Sequence, residues 1–176
     1  MKIAKTIEEV REVVNEWKMQ GLSIGLVPTM GCLHEGHMSL IKYAGENDRI
    51  VASIFVNPMQ FGPKEDLETY PKKFENDREK CEKNGVDLIF APLPAEMYGD
   101  LFYSYVDMTV LTEELCGLSK PGHFKGVCTV VSKLFNIVSP DRAYFGEKDA
   151  QQLAIIKRMV EDLNFNIEIK GCPIVR

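Results

Sequence analysis

Two histidines three residues apart, His34 and His37, flank Gly36 just after an apolar run, and only one other histidine, His123, occurs in the chain. The stretch reads Val27-Pro28-Thr29-Met30-Gly31-Cys32-Leu33-His34-Glu35-Gly36-His37. Ile24, Leu26 and Val27 before it have the character of a buried strand. Met38, Leu40, Ile41 and Ala44 after it follow helical spacing. A strand that breaks into a loop and restarts as a helix is expected to leave backbone N–H groups free at the helix N-terminus, an anion site suited to phosphate. Gly36 would let the backbone approach a bound group, and the two imidazoles would share one face of the first turn. Spacing alone leaves three readings open: phosphate binding, a solvated helix start, or a metal site with Glu35 and His123. The metalloprotease helix needs histidines four apart, and this pair is one residue short.

Other loops carry fewer signals. Lys148, between Glu147 and Asp149, is either a locally compensated turn or a cation for charge developing on a phosphate. Asn57 and Gln60 are neutral hydrogen-bonding groups that could hold a hydroxyl or carboxylate, or cap a turn. Gln151 and Gln152 open a helix, where solvated glutamine is the default. His123, between Gly122 and Phe124, is an anion donor or a packed loop residue. Asp77 falls in mid-helix, usually a surface position.

These residues need elements to hold them. Thr6 and Glu9 form a capping box before a helix with Ile7, Val10, Val14 and Trp17 on one face, stopped at Gly21. Residues 23–27 are expected as a strand ended by Pro28, followed by a helix reaching 45–47. Residues 49–56 form a strand with few polar positions, as where both sheet faces are covered. Pro71 is placed to open a helix to Asn84 before Gly85. Strands are expected at 86–91, at 143–145 and at 167–171, with one at 105–110 lying away from the main sheet. Helices are expected at 127–138 and 150–163. Strands alternating with helices predict an α/β fold with a doubly wound parallel sheet, whose ligands bind beyond the carboxyl ends of the strands. The loops 28–37, 57–63, 119–124 and 146–149 all face that edge.

The 176 residues suit one domain, and a net charge of −5 without a basic stripe argues against nucleic acid as the main partner. No run is long and apolar enough to cross a bilayer, and no signal-peptide core is present. The five scattered cysteines lack a Cys-x-x-Cys pair, which fits a reducing cytoplasm.

The pattern His-x-Gly-His after a strand resembles the signature of the nucleotidyl-transferring α/β superfamily, where it holds ATP phosphates in a Rossmann-like nucleotidyltransferase fold. Residues 27–37, 53–65 (SIFVNPMQFGPKE), 85–92 (GVDLIFAP), 121–126 (PGHFKG) and 139–153 (SPDRAYFGEKDAQQL) together resemble the pantothenate synthetase (pantoate–β-alanine ligase) family. The resemblance implies a ligase of ATP, pantoate and β-alanine that works through a pantoyl adenylate, with Mg2+ on the phosphates. Carried over by position, Met30, Gly31, Cys32, Leu33, His34, Glu35, Gly36 and His37 would hold ATP, with His34 and His37 stabilising the pentavalent phosphorus. Gly146, Glu147, Lys148 and Asp149 would contact nucleotide and phosphates, Lys148 as the main cation. Val175 would touch adenine. Gln60 and Gln152 would grip pantoate, with Asn57 and His123 as further substrate contacts and Asp77 near magnesium. The resemblance also implies a homodimer, and a phosphate-binding segment and C-terminal lid domain that follow residue 176, so that this chain corresponds to the N-terminal ATP- and pantoate-binding domain. Two other readings stand beside it: an adenylyltransferase acting on a phosphorylated acceptor, and a non-catalytic binding module.

Overall fold

The chain, seen in a computed structural model, is described over residues 1–62, 67, 73–109 and 122–173. It winds a six-stranded, all-parallel sheet of order β1-β4-β3-β2-β5-β6. The strands are β1 (Lys2–Ala4), β2 (Ile24–Thr29), β3 (Arg49–Ile54), β4 (Leu88–Phe90), β5 (Arg142–Gly146) and β6 (Glu168–Cys172). From β2 the order runs through β3 and β4 on one side, with β1 added at the edge, and through β5 and β6 on the other, so the topological switch point lies between β2 and β5, where an open α/β sheet forms its ligand crevice.

Strand alternation divides the core in two. Leu26, Val51, Phe90 and Phe145 face α1 (Ile7–Met19), α5 (His123–Val138) and α6 (Ala150–Asp162). Their neighbours Val27, Ala52, Ile89 and Tyr144 face α2 (Glu35–Ala44) and α3 (Phe74–Lys83). Successive side chains point to opposite faces, so strands covered on both faces lack the polar alternation of a half-exposed sheet. Among the described residues, the short α4 (Pro94–Met97) lies between α3 and α5 in chain order. α1 starts as its sequence predicts: Glu9 donates its N–H to Thr6 Oγ1 at 3.2 Å, and Glu9 Oε2 accepts from Thr6 N–H at 3.0 Å.

Several expectations are corrected. Pro28 does not end its strand; β2 continues through it to Thr29. The carbonyls of Ser23 and Thr29 accept from β3-side residues Arg49 and Phe55, while that of Ile24 accepts from Asp141 on the β5 side. Even-numbered residues of β2 thus turn toward β5, and that ladder stops at Leu26 opposite Ala143. The missing N–H of Pro28 falls where no partner strand waits. Strand β1 adds an edge that the sequence does not announce; its three residues are too few for a pattern. Residues 105–109 form no strand. α3 begins at Phe74, and Pro71 lies outside the described residues, as do residues 119–121. His123 and Phe124 are the first turn of α5 rather than loop, with Gly122 at φ +79° as the N-cap. That left-handed backbone suits glycine.

Candidate active site

The histidine loop is built to hold itself. Gly31 and Cys32 take successive left-handed conformations, φ +84° and +51°, between the end of β2 and the N-cap of α2, which is His34. Gly31 donates its N–H to Thr29 Oγ1 at 3.2 Å. Cys32 and Leu33 donate theirs to Asp77 Oδ2 and Oδ1, each at 2.8 Å. His34 N–H goes to His37 Nδ1 at 3.3 Å, and Gly36 N–H to His34 Nδ1 at 3.1 Å. The expected row of free loop amides is therefore not present: the N–H groups of Gly31, Cys32, Leu33, His34 and Gly36 are all satisfied by side chains.

The imidazoles keep donors of their own. With both Nδ1 atoms accepting, the ring protons sit on Nε2. The rings lie 4.2 Å apart, tilted by 48°. The pKa of half-buried His37 is held to about 4, first by desolvation and then by the positive potential of His34. At neutral pH it is a neutral N–H donor, not a cation.

Asp77, expected near the surface or at a metal, is 1% exposed with both oxygens bound by loop amides. Among the described residues, no three His, Cys, Asp or Glu side chains are arranged to hold a metal ion.

Beside His37, at the switch point, lies a cavity of about 200 Å³ between the sheet and α5. Its polar lining includes Thr29, His37, Gln60, Asp149 and Gln152, and its apolar wall includes Val130, Val131, Leu134 and Phe145. Met30 borders it and also a second cavity of about 300 Å³, lined by Gly31, Phe74, Asp77 and Leu93 among others. That second cavity is mostly apolar, so its size is a poorer guide to chemistry than the convergent polar groups of the first.

Asn57 lines the first cavity but is fully committed. It is 0% exposed; its Nδ2 donates to Gln60 Oε1 at 3.0 Å and Gly126 O at 3.1 Å. Its Oδ1 accepts from Tyr98 Oη–H at 2.8 Å and Met59 N–H at 3.3 Å. His123 is likewise turned to support, with Nδ1 at 2.9 Å from the carbonyl of Gln60. Asn57 and His123, expected as substrate contacts, both hold Gln60 in place. Glycine at 126 lets α5 come this close, since a Cβ there would overlap the Met59 carbonyl.

Lys148 is exposed in a single 3-10 turn, Glu147–Asp149, directly after β5, and makes no ion pair with a described residue. Compensation by Glu147 and Asp149 is thus not what holds it. Val175 lies outside the described residues. Ser53, for which the sequence offers no functional sign, lines the cavity wall; its buried hydroxyl has no hydrogen-bond partner among the described residues. A serine in mid-strand gives no signal of its own.

A model of the pantoate-beta-alanine ligase family matches residues 2–176. The chain belongs to that family. It is 69% identical over 176 residues to pantothenate synthetase of Ruminiclostridium cellulolyticum and 62% identical over 177 to that of Clostridium botulinum (strain Kyoto / Type A2). Each alignment covers 100% of this chain and 63% of the relative, so the chain spans under two thirds of these relatives' length. Among solved structures, pantothenate synthetase from Thermus thermophilus superposes with a TM-score of 0.95 at 48% identity, covering 100% of this chain and 63% of that one. Pantoate-beta-alanine ligase from Francisella tularensis, complexed with beta-gamma ATP and beta-alanine, also reaches 0.95, at 42% identity, with 100% and 68% covered. The α/β, Rossmann-like expectation holds over the whole described chain.

Proposed function

We propose that this chain holds ATP and pantoate for acyl-adenylate formation, the first half of an ATP-dependent condensation of pantoate with β-alanine to pantothenate. One observation carries the reading: the histidine pair and a small cavity that joins the amides of Gln60 and Gln152 to aliphatic side chains share the crevice at the β2/β5 switch point. Pantoate is a short hydroxy acid with a gem-dimethyl carbon. Val130, Val131 and Leu134 suit the methyl groups, while Gln60 and Gln152 suit the hydroxyl and carboxylate oxygens. With Oε1 of Gln60 occupied by Asn57, its NH2 group remains to donate, the polarity a carboxylate needs.

The substrate carboxylate is the nucleophile. An oxygen of pantoate bonds to the α-phosphorus of ATP, the α–β bridging P–O bond breaks, and pyrophosphate leaves. The β-alanine nitrogen then bonds to the acyl carbon, the acyl–phosphate C–O bond breaks, AMP leaves, and the amine proton passes to solvent. The residues need supply only positioning and charge stabilisation. His34 and His37 donate Nε2–H bonds to the phosphoryl oxygens where charge builds. Residues 146–149 border the nucleotide, with the exposed Lys148 as the cation for its phosphates and Val175 toward adenine. Magnesium would neutralise phosphate charge and would be held through the phosphates, because the oxygens of Asp77 already serve the loop.

A transfer to a phosphorylated acceptor fits less well, since no lysine or arginine among the described residues lines the cavity. Among the described residues no helix is long and apolar enough to cross a membrane. We place the protein in the cytoplasm as a homodimer; the exposed Leu101 and Tyr103 offer apolar surface to a second copy. The test is pyrophosphate release from ATP and magnesium. Pantoate should trigger it and phosphorylated acceptors should not; the reverse pattern would discard the ligase reading.

A further inference from the structure

We propose that Asp77 and Lys80 of α3 are positioning residues that set the histidine pair for the nucleotide by clamping residues 31–33. The proposal rests on the reading of this crevice as a nucleotide site. Asp77 takes the N–H groups of Cys32 and Leu33, one on each carboxylate oxygen. Lys80, one turn further along α3, donates from Nζ to the carbonyl of Leu33. Both polar ends of one loop segment are thus tied to one helix face.

The loop needs such a restraint. Cys32 lies in left-handed space, unfavourable for a residue with a Cβ and kept only where surroundings over-determine it. Gly31 is part of the fit: a Cβ there would stand 3.1 Å from Asp77 Oδ2 and 3.3 Å from Ile54. The clamped segment leads straight into His34, whose N–H sets the acceptor side of the His37 ring. Displacing residues 32–33 would move that N–H and release the tautomer that points Nε2–H outward. The charges of both clamp residues also reach His37, with opposite effects.

Two simpler accounts compete, a metal ligand and a plain core contact, and the experiment separates them. Asp77→Asn keeps the shape but sets an NH2 group against a loop N–H. Imidazole nitrogen NMR should show His37 leaving its single Nε2–H form in this variant. ATP affinity should fall about tenfold, the scale of a lost charge-assisted hydrogen bond, and by the same factor with magnesium or with a chelator. A loss seen only with magnesium would make Asp77 a metal ligand and overturn the proposal. Unchanged imidazole spectra with unchanged metal-free affinity would overturn it as well. Should Asp77→Asn fail to fold, Lys80→Met carries the test: a shifted His37 Nδ1 resonance supports the clamp, an unshifted one rejects it. Absence of ATP binding in the unmodified chain would defeat the nucleotide reading, yet the spectra would still decide whether α3 sets the rings.

Discussion

Asn57 donates one amide N–H to Gln60 Oε1 at 3.0 Å, and this bond decides which end of Gln60 faces the cavity. The NH2 group of the glutamine is thereby left to donate to a ligand. Gln60→Glu should therefore fold normally, because a carboxylate oxygen still accepts from Asn57, but should place the second oxygen against an anionic substrate. Pantoate affinity should drop by at least about tenfold, as for like-charge juxtaposition at an interface. Calorimetry with pantoate checks this, and equal affinity would mean that Gln60 does not meet the carboxylate.

Asn57→Ala should act through stability and site together. It takes the acceptor away from the part-buried hydroxyl of Tyr98 and removes one bond from the carbonyl of Gly126, which stays in the α5 ladder; a buried group left unpaired costs about 1–3 kcal/mol. Urea unfolding should register the sum. A loss under about 0.5 kcal/mol, the size of an ordinary surface change, would contradict the hub seen at Asn57.

Gly126→Ala tests the same junction from α5. The added methyl meets backbone at Met59 and Gln60, which cannot rotate away. Overpacking of this kind costs about 1–3 kcal/mol. Pantoate binding should suffer more than ATP binding, since the 57–60 turn carries Gln60, not the histidine loop. Thermal unfolding together with both titrations measures the difference.

His37 gives a pH signature with a definite sign. Its folded-state pKa is about 4, against 6.5 for the free side chain. Between those values the unfolded chain binds a proton that the folded chain refuses. Its stabilising contribution is thus fully present above pH 6.5, falls as pH drops toward 4, and stays lost below. The ring is half-buried, so the slope is smaller than the full one-proton value of about 1.4 kcal/mol per pH unit. His37→Gln should flatten this part of the profile; an unchanged profile would show that His37 does not titrate as its burial requires.

For the chemistry itself, His37→Ala in an enzyme competent for the full reaction should lower adenylate formation by at least about 10²-fold, as for loss of an oxyanion donor. Single-turnover pyrophosphate release at saturating ATP measures it. A loss below about threefold would remove His37 from the phosphoryl centre.

Much of this is legible in the sequence because local rules govern it. The Thr6/Glu9 box, the apolar face Val10, Val14, Trp17 and the strand-loop-helix around His34 depend on neighbours a few residues away. The roles of Asp77, Asn57 and His123 do not. A buried carboxylate in an otherwise polar helix looks like surface until the loop it serves, more than forty positions away, is folded against it. Asn57 and His123 can be placed beside the site from their loops, but whether a polar group meets ligand or backbone is settled by tertiary contact. The expectation of free amides fails for the same reason: spacing shows where a helix begins, not which side chains return to cap it.

The most direct test is calorimetry on this chain: ATP with magnesium first, then pantoate, with phosphorylated acceptors as controls. The account predicts that ATP binds, that pantoate binds to the ATP-loaded chain, and that the controls give no heat. Flat titrations with both ATP and pantoate would contradict it, and so would a phosphorylated acceptor binding where pantoate does not.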